Sequence, residues 1–135
     1  DLLSKTLATL SVIQPTSQEH AKATLAPIMT KENGRFDWSM PAEKITRMVR
    51  GFQPFPTTYC SFNGKKLTLW TCRPLQNNFV SGPGTILAIS GDELIVACGD
   101  GSTVSIAEVQ LEGKRRMSVR DFLNGMSLKA GDVLK

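Results

Sequence analysis

The sequence is short of the side chains that most catalytic sites require. It has a single histidine, His20. No Cys or Asp/Glu cluster lies near it, so it cannot anchor a metal site, and no Ser/His/Asp set can be built around it. It reads as a solvated linker residue. The three cysteines, Cys60, Cys72 and Cys98, are odd in number and contain no Cys-x-x-Cys pair. They read as small buried hydrophobes in a reducing, cytoplasmic compartment rather than as disulfide or metal partners. Long apolar runs are missing: no stretch approaches the ~20 residues a bilayer span needs, and no signal-peptide pattern is present. Aromatics make up 7%, and most sit where a core is expected. Gly82-Pro83-Gly84 and Gly99-Asp100-Gly101 lack the spacing of a phosphate loop and open no helix. Asp92, Glu93 and Asp100 fall in turns, where aspartate commonly serves turn geometry. No catalytic residue and no metal site is expected in this stretch.

What is present describes a globular domain. At 135 residues, 41% hydrophobic and 21% charged, the chain has room for one core and no segment that reads as disordered. A net charge of +4 and a pI near 9.2 suggest a polyanionic partner only weakly. The first residue is Asp1 rather than Met, from which a fragment or a processed product is expected.

The periodicity changes at Arg50–Tyr59. Upstream, Asp1–Ile13 reads as a short amphipathic helix with Leu2, Leu3, Leu7 and Leu10 on one side. Such a helix is too short to be stable alone. It needs either a missing upstream domain or the following barrel as a partner. Gln14–Asn33, broken by Pro15 and Pro27, reads as an extended linker. Gly34–Trp38 is a short apolar turn or strand. Ser39 offers an N-cap, and Ile45, Met48, Val49 and Phe52 form one helical stripe that Gly51 terminates. Pro54 and Pro56 end helical structure, and Phe52, Phe55 and Tyr59 suggest a corner packed on a β core.

Downstream the pattern is β. Thr57–Phe62 and Lys65–Arg73 flank Asn63-Gly64, a strong hairpin signal. Gln76–Gly84 is a loop. Thr85–Ser90, Leu94–Cys98 and Val104–Leu111 are further strands. The apolar phase slips between Val104/Ile106 and Val109/Leu111, which predicts a β-bulge near Glu108. Ser118-Val-Arg-Asp121 caps a short helix that Gly125 stops. The fold class is mostly β with short helices: a small OB-like (oligonucleotide-binding-like) β-barrel preceded by an amphipathic helix and a linker.

Positive charge is grouped. Lys114-Arg115-Arg116 is a run in a loop, with Arg120 on the next helix. Lys65 and Lys66 flank the hairpin turn, Arg73 ends that strand, and Arg47 and Arg50 lie on one helix. Phosphate contacts of this kind supply affinity and register but read no sequence. With few aromatics free to stack bases, backbone binding to a folded or double-stranded RNA, read by shape, is the expectation.

Several blocks in one order resemble a known family. Lys22-Ala-Thr-Leu-Ala-Pro27, Lys31-Glu-Asn-Gly-Arg-Phe-Asp-Trp38 and Arg50-Gly-Phe-Gln-Pro-Phe-Pro56 are similar to the linker and second domain of methionyl-tRNA formyltransferases. Pro83-Gly-Thr-Ile-Leu87, Ala97-Cys-Gly-Asp-Gly101, Val109–Ser118 and Gly131-Asp132 continue the match. Departures are small: the family usually has an aromatic at Leu25, Trp at Phe55 and Gly at Thr57. The resemblance implies that residues 1–34 are a terminal helix and linker from a missing N-terminal catalytic domain, and residues 35–135 the OB-like C-terminal domain.

It further implies that the domain helps hold initiator methionyl-tRNA while the absent domain transfers a formyl group from 10-formyltetrahydrofolate in translation initiation. No cofactor is implied for this stretch itself, since the family's folate site and its Asn, His and Asp catalytic set lie upstream. By position, Lys65, Lys66, Lys114, Arg115 and Arg116 are assigned to the tRNA-facing surface. Arg47 and Arg50 are weaker candidates, as are Lys31 and Arg35. Two other readings are a docking or assembly domain of a related sugar-nucleotide or folate formyltransferase, and an unrelated OB-like module.

Overall fold

A computed structural model describes residues 1–75 and 79–135. Helix α1 (Leu2–Ala8) is followed by an irregular segment with 3-10 turns at His20–Lys22 and Lys31–Gly34. Helix α2 (Ala42–Gly51) then leads into strands β1 (Thr58–Phe62), β2 (Lys65–Leu75), β3 (Ile86–Ser90), β4 (Glu93–Ala97), β5 (Thr103–Leu111) and β6 (Met117–Ser118). Helix α3 (Val119–Asn124) follows the last strand.

The strands form one six-stranded sheet in the order β1-β2-β5-β4-β3, and β6 also pairs with β5. Every pairing is antiparallel. The mostly-β expectation is met, but the sheet is not a closed barrel. Its outer strands β1 and β3 do not pair with each other; the end of the chain lies between them instead. Val133 bridges Thr85, Leu134 donates its N–H to the Gly84 carbonyl at 2.9 Å, and Lys135 donates to the Ser61 carbonyl at 3.3 Å.

The hairpin signal is realised closely. Asn63 and Gly64 both have positive φ (49° and 74°), as a two-residue turn matched to strand twist requires. Alternation along β2 then sends Leu67 and Leu69 inward, both fully buried. They meet Ile86, Leu94, Val96, Val104, Ile106 and Val109, all without exposed surface. Burying each such side chain contributes about 1.5–3 kcal/mol.

The bulge expected near Glu108 is present as a pair of register shifts. Leu69 opposes Val109 and Thr71 opposes Glu108, leaving Trp70 extra on β2. Cys72 then opposes Ile106, leaving Ala107 extra on β5. The two shifts offset each other, so both strands keep their inward residues inward.

Helix α2 buries Ala42, Ile45, Thr46 and Val49. Met48 and Phe52, expected in the same stripe, are half-buried. Ser39 is not its N-cap. Pro41 occupies that position and offers no hydroxyl. The first helical N–H, of Ala42, is satisfied across the fold by Ser102 Oγ at 2.8 Å. Gly99 seals the same junction: its N–H donates to the Met40 carbonyl at 3.0 Å, and a Cβ there would lie 1.7 Å from the Ser39 carbonyl oxygen. Upstream, Phe36 and Trp38 are buried edge-to-face at 4.8 Å, and Phe36 donates its N–H to the Tyr59 carbonyl at 3.1 Å.

Other expectations change. Helix α1 stops at Ala8 and buries no residue, so it does not pack on the sheet. Leu2, Leu3, Leu7 and Leu10 are all more than 60% exposed. Ser118 caps α3 as expected, accepting from the Asp121 N–H at 3.1 Å. Of the expected Gln76–Gly84 loop, residues 76–78 lie outside the described residues, and 79–84 have no regular structure. In the corner before β1, Pro56 is buried but Phe55 is 53% exposed. Of nine aromatics, only Phe36, Trp38, Phe62 and Phe122 are buried. The expectation that most belong to the core does not hold.

Thr57 has φ 65°, a β-branched residue in the left-handed region. Relief of that strain, roughly 1–3 kcal/mol, exceeds the roughly 0.5–1 kcal/mol entropic cost of glycine. Thr57→Gly is therefore expected to stabilise the chain by about 1 kcal/mol in urea unfolding. Gly99→Ala is expected to destabilise it by about 3 kcal/mol, because the contact it violates is backbone against backbone. An unchanged urea midpoint for either variant would contradict the packing described.

Candidate nucleic-acid interface

The β1–β2 hairpin and the turn after β5 meet at one end of the sheet. Lys66 opposes Ser61 on one side. On the other, its carbonyl accepts from the Glu112 N–H at 2.9 Å and its own N–H donates to Glu112 Oε2 at 3.1 Å. Lys114 closes the following turn, its N–H donating to the Leu111 carbonyl at 2.9 Å. Hairpin pairing and turn geometry thus bring Lys65, Lys66, Lys114 and Arg115 to the same end. Among the described residues none of these four takes part in a salt bridge. Arg35 joins them from the segment before α2. With Tyr59, Ser61, Lys65 and Lys66 it lines a groove of about 250 Å³.

Arg116 is placed differently. It is held over the sheet, paired with Glu108 and 3.5 Å from Thr71 Oγ1. Its guanidinium lies 5.0 Å from the Trp70 ring centroid. The Arg116 and Thr71 hydrogen bonds hold the Glu108 carboxyl below the usual glutamate range. Arg73 is likewise tied, to Glu93 at 2.8 Å, and Arg120 to Asp92.

Arg47 and Arg50 do not join the cluster. Arg47 pairs with Glu43 on the exposed side of α2. Arg50 lies near Cys72, its charge lowering that thiol's pKa against a larger upward push from burial. Cys72 is six residues along β2 from Lys66, about 20 Å at 3.3 Å per residue. Lys31 is exposed in a 3-10 turn with no salt bridge among the described residues.

The face beside the cluster carries residues that composition did not single out. On β2, Lys66, Thr68 and Trp70 point away from the core that Leu67 and Leu69 enter. Thr68 is flanked by Tyr59 on β1 and Gln110 on β5. The Lys66 ammonium lies 4.1 Å from the centroid of the Tyr59 ring. Trp70 Nε1 donates to Gln110 Oε1 at 3.0 Å, and Gln110 Nε2 donates to the Lys114 carbonyl at 2.9 Å. Period-two alternation already marks Trp70 as outward, a signal that counting aromatics as core overlooks.

Among the described residues no group of three His, Cys, Asp or Glu could hold a metal. Burial pushes the thiols of Cys60, Cys72 and Cys98 up to about 12, so they are not nucleophiles at neutral pH. Among the described residues no helix is long and apolar enough to cross a membrane.

The chain is thus an open antiparallel sheet with short helices and a basic end, preceded by an irregular leader. Residues 28–127 match the family model for the formyl transferase C-terminal domain, and the chain belongs to that family. It is 39% identical over its whole length to a methionyl-tRNA formyltransferase of Caldanaerobacter subterraneus, covering 44% of that protein. It is 45% identical to one of Acidobacterium capsulatum, with 94% of the chain aligned to 41% of the relative. The chain therefore spans less than half the length of these relatives. Its fold is also similar to part of HypX from Aquifex aeolicus, solved in complex with tetrahydrofolic acid. The TM-score is 0.62 at 20% identity, over 98% of this chain and 26% of that one.

The Arg116–Glu108 pair yields a pH test. Because the folded Glu108 pKa is depressed, the pair contributes above the ordinary glutamate value and is lost as pH falls through the depressed one. Glu108→Gln is expected to cost under about 1 kcal/mol at neutral pH, since both partners are partly exposed to screening solvent. The difference in urea midpoint from the parent chain should vanish in acid. A difference that persists there would show that Glu108 acts through something other than its charge.

Proposed function

We propose that this chain is the tRNA-binding C-terminal domain of a methionyl-tRNA formyltransferase, with residues 1–34 leading from an N-terminal catalytic domain. In this reading it helps hold initiator methionyl-tRNA in the cytoplasm while that domain transfers a formyl group from 10-formyltetrahydrofolate to the methionyl amine. The observation that carries the reading is the meeting of Lys65, Lys66, Lys114 and Arg115 at one end of the sheet, none of them neutralised by a salt bridge among the described residues. Cations without internal partners can displace the counterions of an RNA backbone, which gives affinity without base reading. Family membership and the names of the relatives support the choice of RNA.

The contributions should differ. Lys65, Lys66, Lys114 and Arg115 contact phosphates directly. Arg116 contributes less, because it must first give up Glu108. Arg50 and Arg47 lie on α2, away from this end, and add to a second, weaker contact or to the seat of the catalytic domain.

Titration of the 135-residue chain with tRNA at several salt concentrations tests this. Each phosphate contact adds about 0.7–0.9 to the slope of log K against log salt. Lys114→Ala with Arg115→Ala should reduce the slope by roughly 1.5 and weaken binding to all tRNA species alike. Arg47→Ala should change it by less than half a unit. An unchanged slope in the double variant would favour the docking role in a related formyltransferase.

A further inference from the structure

The outer face of β1, β2 and β5 contains a groove of about 210 Å³ lined by Thr57, Lys66, Thr68, Trp70, Gln110 and Glu112. Thr68 is its floor, 6% exposed, and Lys66 and Trp70 rise on either side as its alternate neighbours on β2. Two of the lining residues make cation–aromatic contacts with neighbours outside it: the Lys66 ammonium lies 4.1 Å from the Tyr59 ring centroid, and the Arg116 guanidinium 5.0 Å from that of Trp70.

The Trp70 ring is positioned by its surroundings. Alternation from Leu69 aims it outward, and the register shift leaves it unopposed on β5. Its indole N–H is held by Gln110 at 3.0 Å, and its carbonyl accepts from Gln53 Nε2 at 2.7 Å. Of the nearby acids, Glu112 in the groove accepts from the Lys66 N–H, and Glu108, outside it, is bound by Arg116 and Thr71. A flat apolar wall beside cations suits a planar ring that carries an anion. That is the chemistry of a nucleotide, whose base stacks on an aromatic face while its phosphate meets a lysine or arginine.

We infer that this groove takes one unpaired nucleotide of a bound RNA, its base stacked against Trp70 and its phosphate between Lys66 and the Lys114–Arg116 loop. The inference rests on the RNA-binding reading above and adds to it a preference for a looped-out or single-stranded residue. Bases within a duplex are stacked on one another and cannot enter; only an unstacked base presents its face.

The test compares a short single-stranded oligoribonucleotide with a blunt duplex of the same sequence, each titrated into the 135-residue chain. Trp38 is 4% exposed and serves as the silent tryptophan, so a change in indole emission reports Trp70. The single strand should quench emission. Trp70→Leu should weaken single-strand binding about tenfold or more while leaving the salt slope and duplex binding unchanged. Trp70→Phe, which keeps an aromatic face, should recover part of the loss. Circular dichroism confirms folding, and if Trp70→Leu does not fold, Gln110→Ala, which removes the partner of the indole N–H, serves as a second probe of the groove and should also weaken single-strand binding. Duplex binding with no quenching by the single strand, and no effect of Trp70→Leu, would overturn the groove inference and leave the RNA reading intact. Failure of both RNAs to bind would overturn both.

Discussion

The β2–β5 ladder is the element on which everything else is built. β2 enters from the Asn63-Gly64 turn and is paired on both sides, by β1 and by β5. β5 in turn carries β4 on its first half and β6 on its second. Antiparallel pairing satisfies the backbone groups of both strands, and only then can Leu67, Leu69, Val104, Ile106 and Val109 be buried without unpaired amides. The paired shifts at Trp70 and Ala107 are tolerated because each adds one residue on opposite strands, so the side-chain phase is restored beyond them.

The same ladder places the charges. Alternation that buries one set of β2 residues must present the other, and that set is Lys66, Thr68 and Trp70. Pairing with β5 sets Lys66 beside Glu112, and the turn beyond returns Lys114 to the same edge. The basic cluster is thus a consequence of register. A one-residue slip would turn Leu67 and Leu69 to solvent and Lys66 and Trp70 into the core. Folding and the placement of the basic cluster therefore depend on the same pairings.

Helix α2 is fixed by a different constraint, close backbone approach. Gly99 lets the chain around Ser39 and Met40 come within a distance that a Cβ would forbid, and Ser102 then satisfies the helix's first N–H. Nothing local could supply that partner, because proline occupies the capping position. The expectation of a Ser39 cap failed for this reason: capping residues are sought next to the helix, and this one is 60 residues away. Ahead of the helix, Phe36 and Trp38 complete the core, whereas α1 and most residues up to Lys31 bury nothing.

Local chemistry in the sequence determined the strands, the hairpin turn, the bulge, the Ser118-capped helix and the family to which the chain belongs. Those features depend on side-chain period, turn residues and short motifs, which act over a few residues. The tertiary structure alone decided which cations are free. Lys114, Arg115 and Arg116 are equivalent as a run, yet Glu108 and Trp70, brought beside Arg116 by the β5–β6 pairing, set it apart from its neighbours. It also left the sheet open where a barrel was expected, with the end of the chain lying between β1 and β3. And it set Arg50, on α2 near Cys72, apart from Lys66 at the other end of β2. Charge is legible in a sequence, but its partners and distances are set by contacts between residues far apart in the chain.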